Sequence, residues 1–343
     1  MKVIVRNALS ELGWNKLFAD SLLELGIIHE TRSVGRVQRI DRGWSTLLAE
    51  NRSTPALHAT QFTELRARNI GADVAVGDWV VLSSDGERVE HVLPRTSQLV
   101  RRASSDTVKA VSQVIAANVD VVLLVHALDA RPNQRRLERE LVLAFDSGAR
   151  PVIVLTKSDI TDTDTLRINR DAVAAISLGV TVHVVSSMTG EGLEGLLTYA
   201  ANGETLAVLG ASGVGKSTLV NALTGTESQQ TGAIRRGDLR GRHTTTAVDL
   251  VPLPERGWLV DTPGLRAIGL WSSGHGIERA FADIFTLADQ CRFRDCKHER
   301  EPACAVQNAV TGGQLDAGRL DAMRRLVAED AALERQQERA SRR

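Results

Sequence analysis

The alternation of apolar and polar residues gives the first hundred positions of the chain two different patterns. Apolar residues recur at nearly helical spacing between residues 8 and 26 and stop at Gly26, which predicts a short amphipathic helix. From about residue 33 to 95, short runs with β character are interrupted by Gly, Asp and Asn, a pattern typical of a small barrel of the OB type. The predicted strands of this barrel are Gly35–Ile40, Ser45–Ala49, Asp78–Leu82 and Arg88–Leu93.

From Asp120 the pattern changes to buried strands that alternate with helices, which predicts a parallel sheet covered by helices on both faces. The predicted strands are Val121–Val125, Val152–Leu155, Val180–Val185, Thr205–Leu209, Val248–Leu253 and Gly257–Val260. The predicted helices are Gln134–Phe145, 164–178 and Lys216–Leu223, and a charged helix, Leu315–Arg339, ends the chain. We therefore expect a multi-domain protein with a helical extension (1–30), an OB-type barrel (31–102), an α/β domain (103–274) and a helical C-terminal domain (275–343).

Length and charge narrow the possible functions only a little. At 343 residues the chain is too long for one core, since domains usually hold about 100–200 residues. Its 42 basic and 42 acidic residues cancel, so any contact with a nucleic acid depends on local patches. No signal peptide and no apolar run long enough to span a bilayer are visible, which predicts a cytoplasmic protein without a membrane segment.

A glycine-rich loop between an apolar strand and a helix carries the clearest chemistry. Its residues are Gly210, Ala211, Ser212, Gly213, Val214, Gly215, Lys216 and Ser217. This is the P-loop pattern, in which glycines let backbone N–H groups close around phosphate oxygens. Lys216 would reach the β- and γ-phosphates, Ser217 would offer its hydroxyl to Mg²⁺, and Thr218 would continue the helix start. The alternative is a glycine-rich turn with an incidental lysine.

A second motif suggests that the nucleotide is GTP. It consists of Thr156, Lys157, Ser158 and Asp159, directly after a predicted strand. The Asp159 carboxylate can accept from both the N1–H and the amine of guanine, a donor pair that adenine lacks, while Lys157 lies along the base. Ser186 and Ser187 follow the next strand and match a second base-contacting loop. Ordinary GTPases carry the base-reading motif after the phosphate loop, so this order indicates a circular permutation.

The segments around the γ-phosphate are expected to follow the phosphate loop. Asp261 would hold the Mg²⁺ shell, and the N–H of Gly264 would sense the γ-phosphate. Leu265 stands where many GTPases have a water-orienting glutamine, so we assign that role to His243. One of the three threonines that follow His243, taken here as Thr245, would close over Mg²⁺. A strand-to-turn motif at Asp261 and a structural histidine are the alternatives.

All three cysteines of the chain lie close together near its C-terminus. With one histidine they form the spacing Cys291-x4-Cys296-x-His298-x5-Cys304. Three thiolates and one imidazole complete a closed tetrahedral Zn²⁺ site, which predicts one structural zinc ion rather than a catalytic one. An odd number of cysteines in one stretch argues against a disulfide framework. Buried free thiols are the alternative.

Taken in this order, the motifs resemble those of the ribosome small subunit-dependent GTPase A family, RsgA or YjeQ. Five further segments carry the resemblance. They are 240–246, with the sequence Arg-Gly-Arg-His-Thr-Thr-Thr, and 76–80, 116–120, 261–265 and 12–15. The resemblance implies a cytoplasmic bacterial GTPase that acts late in maturation of the 30S subunit and is stimulated by that particle. It also implies a zinc-stabilised C-terminal domain and a role for His243 in hydrolysis. The chain departs from the family at Thr156, where asparagine is usual.

Our main hypothesis is a monomeric, Mg²⁺-dependent GTPase that binds the 30S subunit and its 16S rRNA, and that leaves after hydrolysing GTP to GDP and phosphate. Eleven arginines and eight acidic residues between 31 and 102 favour backbone and shape recognition of folded RNA. Because the chain after Gly264 runs into the zinc domain, a nucleotide-dependent switch could tilt that domain. The alternatives are an rRNA-binding scaffold that holds GTP as a structural ligand without useful turnover, and a P-loop ATPase.

Overall fold

The computed structural model describes residues 8–27, 32–41, 43–50, 62–69, 73–102, 112–225, 248–254, 256–261 and 274–341. The N-terminal extension forms two helices, α1 (Ala8–Glu11) and α2 (Lys16–Glu24), in place of the single predicted helix. That prediction was wrong because the chain turns at Gly13, which has a φ of +89°. A Cβ at Gly13 would lie 2.8 Å from the carbonyl oxygen of Gly203, so helical spacing alone could not show this close approach.

Within the described residues, the barrel holds five strands around a small apolar core. They are β1 (Val34–Asp41), β2 (Trp44–Glu50), β3 (Phe62–Arg68), β4 (Trp79–Leu82) and β5 (Val89–Val92). β1 pairs with both β2 and β4, β2 pairs with β3, and β4 pairs with β5. A parallel bridge between Arg68 and Arg88 joins the end of β3 to the start of β5 and closes the ring. The four predicted strands are confirmed, and β3 was not predicted.

A two-stranded ribbon connects the barrel to the next domain. β6 (Gln98–Arg102) pairs with β7 (Ser112–Ala117) in an antiparallel ladder. The ribbon approaches the barrel closely at Gly77, where a Cβ would lie 2.2 Å from the carbonyl oxygen of Ala117. β6 ends at Arg102, and the domain boundary expected after this residue stays a prediction.

The described part of the central domain is a sheet of six strands with helices between them. Its elements are β8 (Val121–Ala127), α3 (Gln134–Asp146), β9 (Arg150–Thr156), α4 (Thr163–Ser177), β10 (Val182–Val184), α5 (Leu193–Leu197), β11 (Thr205–Gly210), α6 (Lys216–Thr224), β12 (Asp249–Pro252) and β13 (Trp258–Asp261). The strand order is β10-β9-β8-β11-β13-β12, and only β12 runs antiparallel to its neighbour. The predicted α/β alternation is confirmed. The edge strand β12 also pairs with β1, so one sheet continues from this domain into the barrel.

The C-terminal region is helical and packs on the central domain. Its elements are α7 (Gly274–Ala280), α8 (Ala282–Ala288), α9 (Ala305–Thr311) and α10 (Ala317–Ser341). α7 lies against α3, and the backbone N–H of Gly276 donates to the Asp146 carboxylate at 2.6 Å. The predicted terminal helix is confirmed. Among the helices that the structure describes, none combines the length and the apolar character needed to cross a membrane.

Candidate functional site

The predicted phosphate loop, residues 210–217, connects the carboxyl end of β11 to the start of α6. Gly213 and Gly215 have φ angles of +81° and +92°, in the left-handed region that favours glycine. A Cβ on Gly210 would lie 2.4 Å from the Val125 carbonyl oxygen of the neighbouring strand, so a side chain does not fit there. The Nζ of Lys216 donates to the carbonyl oxygen of Ala211, back across the loop. The loop thus brings the positive end of the α6 dipole to the edge of the sheet, an arrangement that binds phosphate.

The predicted base-reading loop, residues 156–159, follows β9 on the same edge. Lys157 has a φ of +66°, and its Nζ lies 2.5 Å from the Oδ2 of Asp129. The Asp159 Oδ1 accepts a hydrogen bond of 2.7 Å from the Ser186 hydroxyl. Ser186 Oγ also accepts from the backbone N–H groups of the turn that follows it. The structure therefore joins the two predicted base-contacting loops through a direct side-chain contact.

Thr156 connects the base-reading loop to the phosphate loop. Its buried hydroxyl donates to the Val214 carbonyl oxygen at 2.6 Å and lies 3.3 Å from the carbonyl oxygen of His126. A hydroxyl so placed fixes the distance between the two loops. The sequence analysis identified Thr156 as a departure from the usual asparagine, and the structure gives this threonine a tethering contact of its own.

In the described part of the chain, two hydroxyls of the base-contacting loops are buried without a hydrogen-bond partner. Ser158 Oγ and Ser187 Oγ make no hydrogen bond with any other residue in the described part of the chain. A buried hydroxyl left unpaired costs about 1–3 kcal/mol, so such groups usually have a partner in the functional state. Their positions beside Asp159 and Ser186 fit a polar ligand held between these loops.

Asp261, the expected magnesium ligand, is the last residue of β13. β13 runs parallel to β11, so its carboxyl end lies on the same edge as the phosphate loop. Ser217 and Thr218 occupy the first turn of α6 on that edge. Oxygen ligands from a serine and an aspartate suit Mg²⁺. Gly264, His243 and Thr245, together with the threonines beside Thr245, lie outside the described residues.

The four predicted zinc ligands converge. The ligand atoms of Cys291, Cys296, His298 and Cys304 all lie within 4.8 Å of one another. The Cys291 and Cys304 sulfurs are 3.8 Å apart, and the Nδ1 of His298 lies 3.6 and 3.5 Å from them. Sulfurs bound tetrahedrally at about 2.3 Å would be about 3.8 Å apart, so the described geometry fits a zinc ion.

Local structure explains how this cluster is held. Cys304 caps the start of α9 by accepting from the Gln307 N–H. Burial by itself raises the pKa of the Cys291 thiol, but hydrogen bonds from the Val306 and Ala305 backbone and with the Cys304 and Cys296 thiols together lower that pKa, which favours the thiolate. His298 has a φ of +59°, and its carbonyl oxygen accepts from side chains on both α9 and α10. The cluster is therefore built into the packing of the C-terminal helices.

Two acidic residues near these sites were missed by sequence reasoning. Asp129 pairs with Lys157, and Asp249 lies opposite Asp261 in the β12–β13 ladder. Asp129 follows β8 by two positions, and polar residues at the carboxyl ends of parallel strands commonly line a site, so it could have been found. Asp249 gave no such signal, because its place depends on antiparallel pairing.

Comparison with known proteins places these observations in one family. Residues 92–271 match the family described as RsgA GTPase. The chain is 41% identical to the small ribosomal subunit biogenesis GTPase RsgA of Streptomyces coelicolor over 94% of this chain and 87% of that protein. It is 38% identical to small ribosomal subunit biogenesis GTPase RsgA 2 of Vibrio parahaemolyticus, over 95% and 86% of the two chains.

Solved structures of YjeQ and YloQ have a similar fold. YjeQ from Thermotoga maritima superposes with a TM-score of 0.63 at 27% identity, over 88% of this chain and 99% of the other. YloQ, described as a circularly permuted GTPase, superposes with a TM-score of 0.63 over 89% and 98% of the chains, and at 24% identity it supports the fold. With this permuted fold and these relatives, the chain belongs to the RsgA GTPase family.

Proposed function

We propose that this protein binds the small ribosomal subunit late in its maturation and hydrolyses GTP to GDP and phosphate to drive its own release. The observation that carries the proposal is the 2.6 Å hydrogen bond from Thr156 to the Val214 carbonyl oxygen. It holds the base-reading motif against the phosphate loop, although their order in the sequence is rotated. Relatives named for small ribosomal subunit biogenesis support the choice of partner.

The proposed binding of GTP uses groups at both ends of the nucleotide. The Asp159 carboxylate accepts from guanine, and the unpaired hydroxyls of Ser158 and Ser187 supply further polar contacts. The backbone of residues 210–215 and Lys216 hold the phosphates. For this, the Lys216 Nζ exchanges its present contact with the Ala211 carbonyl oxygen for phosphate oxygens.

Hydrolysis transfers the γ-phosphoryl group to water. The water oxygen bonds to the γ-phosphorus, the bond to the β–γ bridging oxygen breaks, and GDP and phosphate leave. We assign His243 to orient the water, Gly264 to contact the γ-phosphate, and Ser217, Thr245 and Asp261 to hold magnesium. Bound Mg²⁺ neutralises charge on the phosphate oxygens. These roles explain how the chain could work without a glutamine at Leu265.

We assign a structural zinc ion to Cys291, Cys296, His298 and Cys304, because three sulfurs and one nitrogen suit zinc in a closed site. The loop that carries these ligands exposes four cationic side chains, Arg292, Arg294, Lys297 and Arg300. Their charge suits the phosphate backbone of 16S rRNA. The barrel is the second proposed contact surface, and a cytoplasmic monomer is the proposed working form.

GTP hydrolysis measured with and without purified 30S subunits tests the proposal. We expect the subunits to raise turnover. Unchanged, negligible turnover with tight GTP binding would instead favour a scaffold that holds GTP as a structural ligand. Competition between GTP and ATP tests the nucleotide, and we expect ATP to compete poorly.

The variant Asp159→Asn tests the base-reading assignment. Asparagine can no longer accept from both guanine donors, so we expect preference to shift from GTP towards xanthosine triphosphate. Asp162→Asn is a matched control, because within the described residues the Asp162 side chain caps α4 through Thr165 and forms no hydrogen bond or ion pair with residues 156–159. Unaltered GTP preference in Asp159→Asn would refute the assignment.

A further inference from the structure

A row of directly paired residues crosses the boundary between the central domain and the barrel. In the ladder, Asp261 on β13 pairs with Asp249 on β12, and Asp249 pairs with Arg39 on β1. Arg39 pairs in turn with Thr46 on β2, and Thr46 with Arg66 on β3. Directly opposed residues in antiparallel strands point to the same face of a sheet. These five side chains therefore share one face, which runs from the expected magnesium ligand to the far side of the barrel.

Two like charges stand next to each other in this row. Asp249 and Asp261 are opposite one another, and carboxylates in that position repel. Arg39 lies on the other side of Asp249, with its NH1 3.7 Å from Asp249 Oδ2 and its Nε 2.9 Å from Asp41 Oδ2. The barrel thus supplies the cation that offsets the charge of the carboxylate beside Asp261.

The separation between Arg39 and Asp261 is short enough for an electrostatic effect. They are two strand spacings apart, about 10 Å, since neighbouring strands are about 4.8 Å apart. This is about one Debye length at 0.1 M salt, so the effect should be measurable at low ionic strength and weak at high ionic strength.

We propose that Arg39 is a positioning residue that sets the charge at the magnesium end of the nucleotide site from the barrel, by holding and partly neutralising Asp249. The inference rests on the proposed function, because it takes Asp261 as part of the magnesium site. Its consequence is a route between the barrel and the nucleotide. A partner that moves β1 against β12 changes the charge that acts on bound magnesium, and by linkage magnesium-nucleotide binding changes the affinity for that partner.

The charges of Arg39 and Asp249 determine whether each variant raises or lowers the magnesium concentration needed for binding. Arg39→Gln leaves Asp249 without its cation, makes the magnesium end more negative, and should lower the magnesium concentration for half-maximal binding by about threefold to tenfold. Asp249→Asn removes a negative charge and should raise that concentration by a similar factor. Arg39→Lys keeps the charge and should stay within about twofold of the wild type.

The measurement is the equilibrium binding of a fluorescent, non-hydrolysable GTP analogue to the full-length protein, titrated with MgCl2 at 20 mM and 500 mM NaCl. Arg32→Gln is the matched control, because Arg32 forms an ion pair of similar exposure with Glu90 inside the barrel, away from β12. We expect Arg32→Gln to behave as the wild type at both salt concentrations. The shifts in Arg39→Gln and Asp249→Asn should have opposite signs and shrink at high salt.

The possible outcomes test the role of Arg39 and the proposed function separately. Equal midpoints for Arg39→Gln and Arg32→Gln would overturn the inference, and so would a shift that persists at 500 mM NaCl, because a packing defect is not screened by salt. Failure of the wild-type protein to need magnesium would count against the proposed function instead. Far-ultraviolet circular dichroism of each variant shows whether it folds, and rescue by Arg39→Lys separates lost charge from lost structure.

Discussion

Two buried arginines hold the central domain to its neighbours, and they have different kinds of partners. Arg36 of β1 lies at the interface between barrel, N-terminal helices and central domain, which we call the barrel interface. Its guanidinium donates to the carbonyl oxygens of Leu12, Asn118 and Gly77, at 2.5, 3.2 and 3.4 Å, and to the Thr205 hydroxyl at 2.7 Å. All four acceptors are uncharged. Burial lowers the pKa of Arg36 to about 10, although the carboxylates of Asp120 and Asp78 oppose this effect.

Arg319 of α10 lies at the contact between the C-terminal helices and α3 and α4, which we call the C-terminal interface. It donates to both carboxylate oxygens of Asp283, at 2.7 and 2.9 Å, and its NH1 is 3.3 Å from Glu138 Oε1. It also donates to the carbonyl oxygens of Ala280 and Ile176. Burial raises the pKa of Glu138, while the charge of Arg319 opposes that rise.

Because their partners differ, loss of the two arginines should weaken the two interfaces to different extents. Removing Arg36 leaves uncharged acceptors without their donor, whereas removing Arg319 leaves the buried Glu138 and the partly exposed Asp283 without their cation. An unpaired buried charge costs far more than an unpaired buried carbonyl. Loss of Arg319 should therefore lower the free energy of unfolding more than loss of Arg36 does. Any nucleotide-driven tilt of the C-terminal helices has to move α3 with it or break the contacts of Arg319.

Metal removal should have the largest effect on stability, and it should affect the C-terminal interface without affecting the barrel interface. Structural zinc contributes about 10–16 kcal/mol of binding free energy in small zinc domains. In this protein the proposed ligands Cys304 and His298 are part of the packing of α9 and α10. We expect a strong chelator to release one zinc ion per chain and to abolish hydrogen-exchange protection in α8 and α9. Protection of β1 and β4 in the barrel should be unchanged. Retained protection in α9 after metal release would contradict this role.

The variant Arg319→Met should give the next largest effect. Breaking a buried ion pair by removing one partner costs about 3–5 kcal/mol, since Glu138 and Asp283 keep their charge or must take up protons. The free energy of unfolding from urea denaturation, followed by circular dichroism, measures the loss. Limited proteolysis should show cleavage that begins in the C-terminal helices. A loss no larger than that of Arg36→Met would reverse the comparison.

The variant Arg36→Met should lower the free energy of unfolding by less. Methionine fills much of the volume and leaves only neutral groups unpaired, which predicts a loss of about 1–3 kcal/mol. Gly77 retains a hydrogen bond from the Asn118 side chain, which limits the penalty. Urea denaturation under the same conditions provides the measurement, and proteolysis should now begin in the N-terminal helices.

The smallest effect is expected for Arg139→Gln, which serves as the exposed control for the C-terminal interface. Arg139 of α3 makes two hydrogen bonds with Glu329 of α10, at 2.6 and 2.8 Å, but both side chains are more than a third exposed. Such pairs contribute about 0.2–1 kcal/mol, and the difference should vanish in 1 M salt. A loss comparable to that of Arg319→Met would show that burial is not what distinguishes the two contacts.

Contiguous motifs made much of the chemistry predictable. The phosphate loop, the base-reading loop and the Cys291-to-Cys304 cluster each lie within a short stretch, where residue type and spacing reflect the bonds that they make. The alternation of apolar strands and helices also predicted the parallel sheet, because buried strands need apolar residues on both faces. The strand β3 was missed, because its charged residues alternate with only a few apolar ones.

The motifs and their rotated order can therefore be read from the chain without coordinates. Which distant residues act together depends on how the strands and domains pack. The tether from Thr156 to Val214, the different surroundings of Arg36 and Arg319, and the pairing of Arg39 with Asp249 all join positions far apart in the chain. Their energies depend on burial and on the charge of the group opposite, and strand register and domain packing set both.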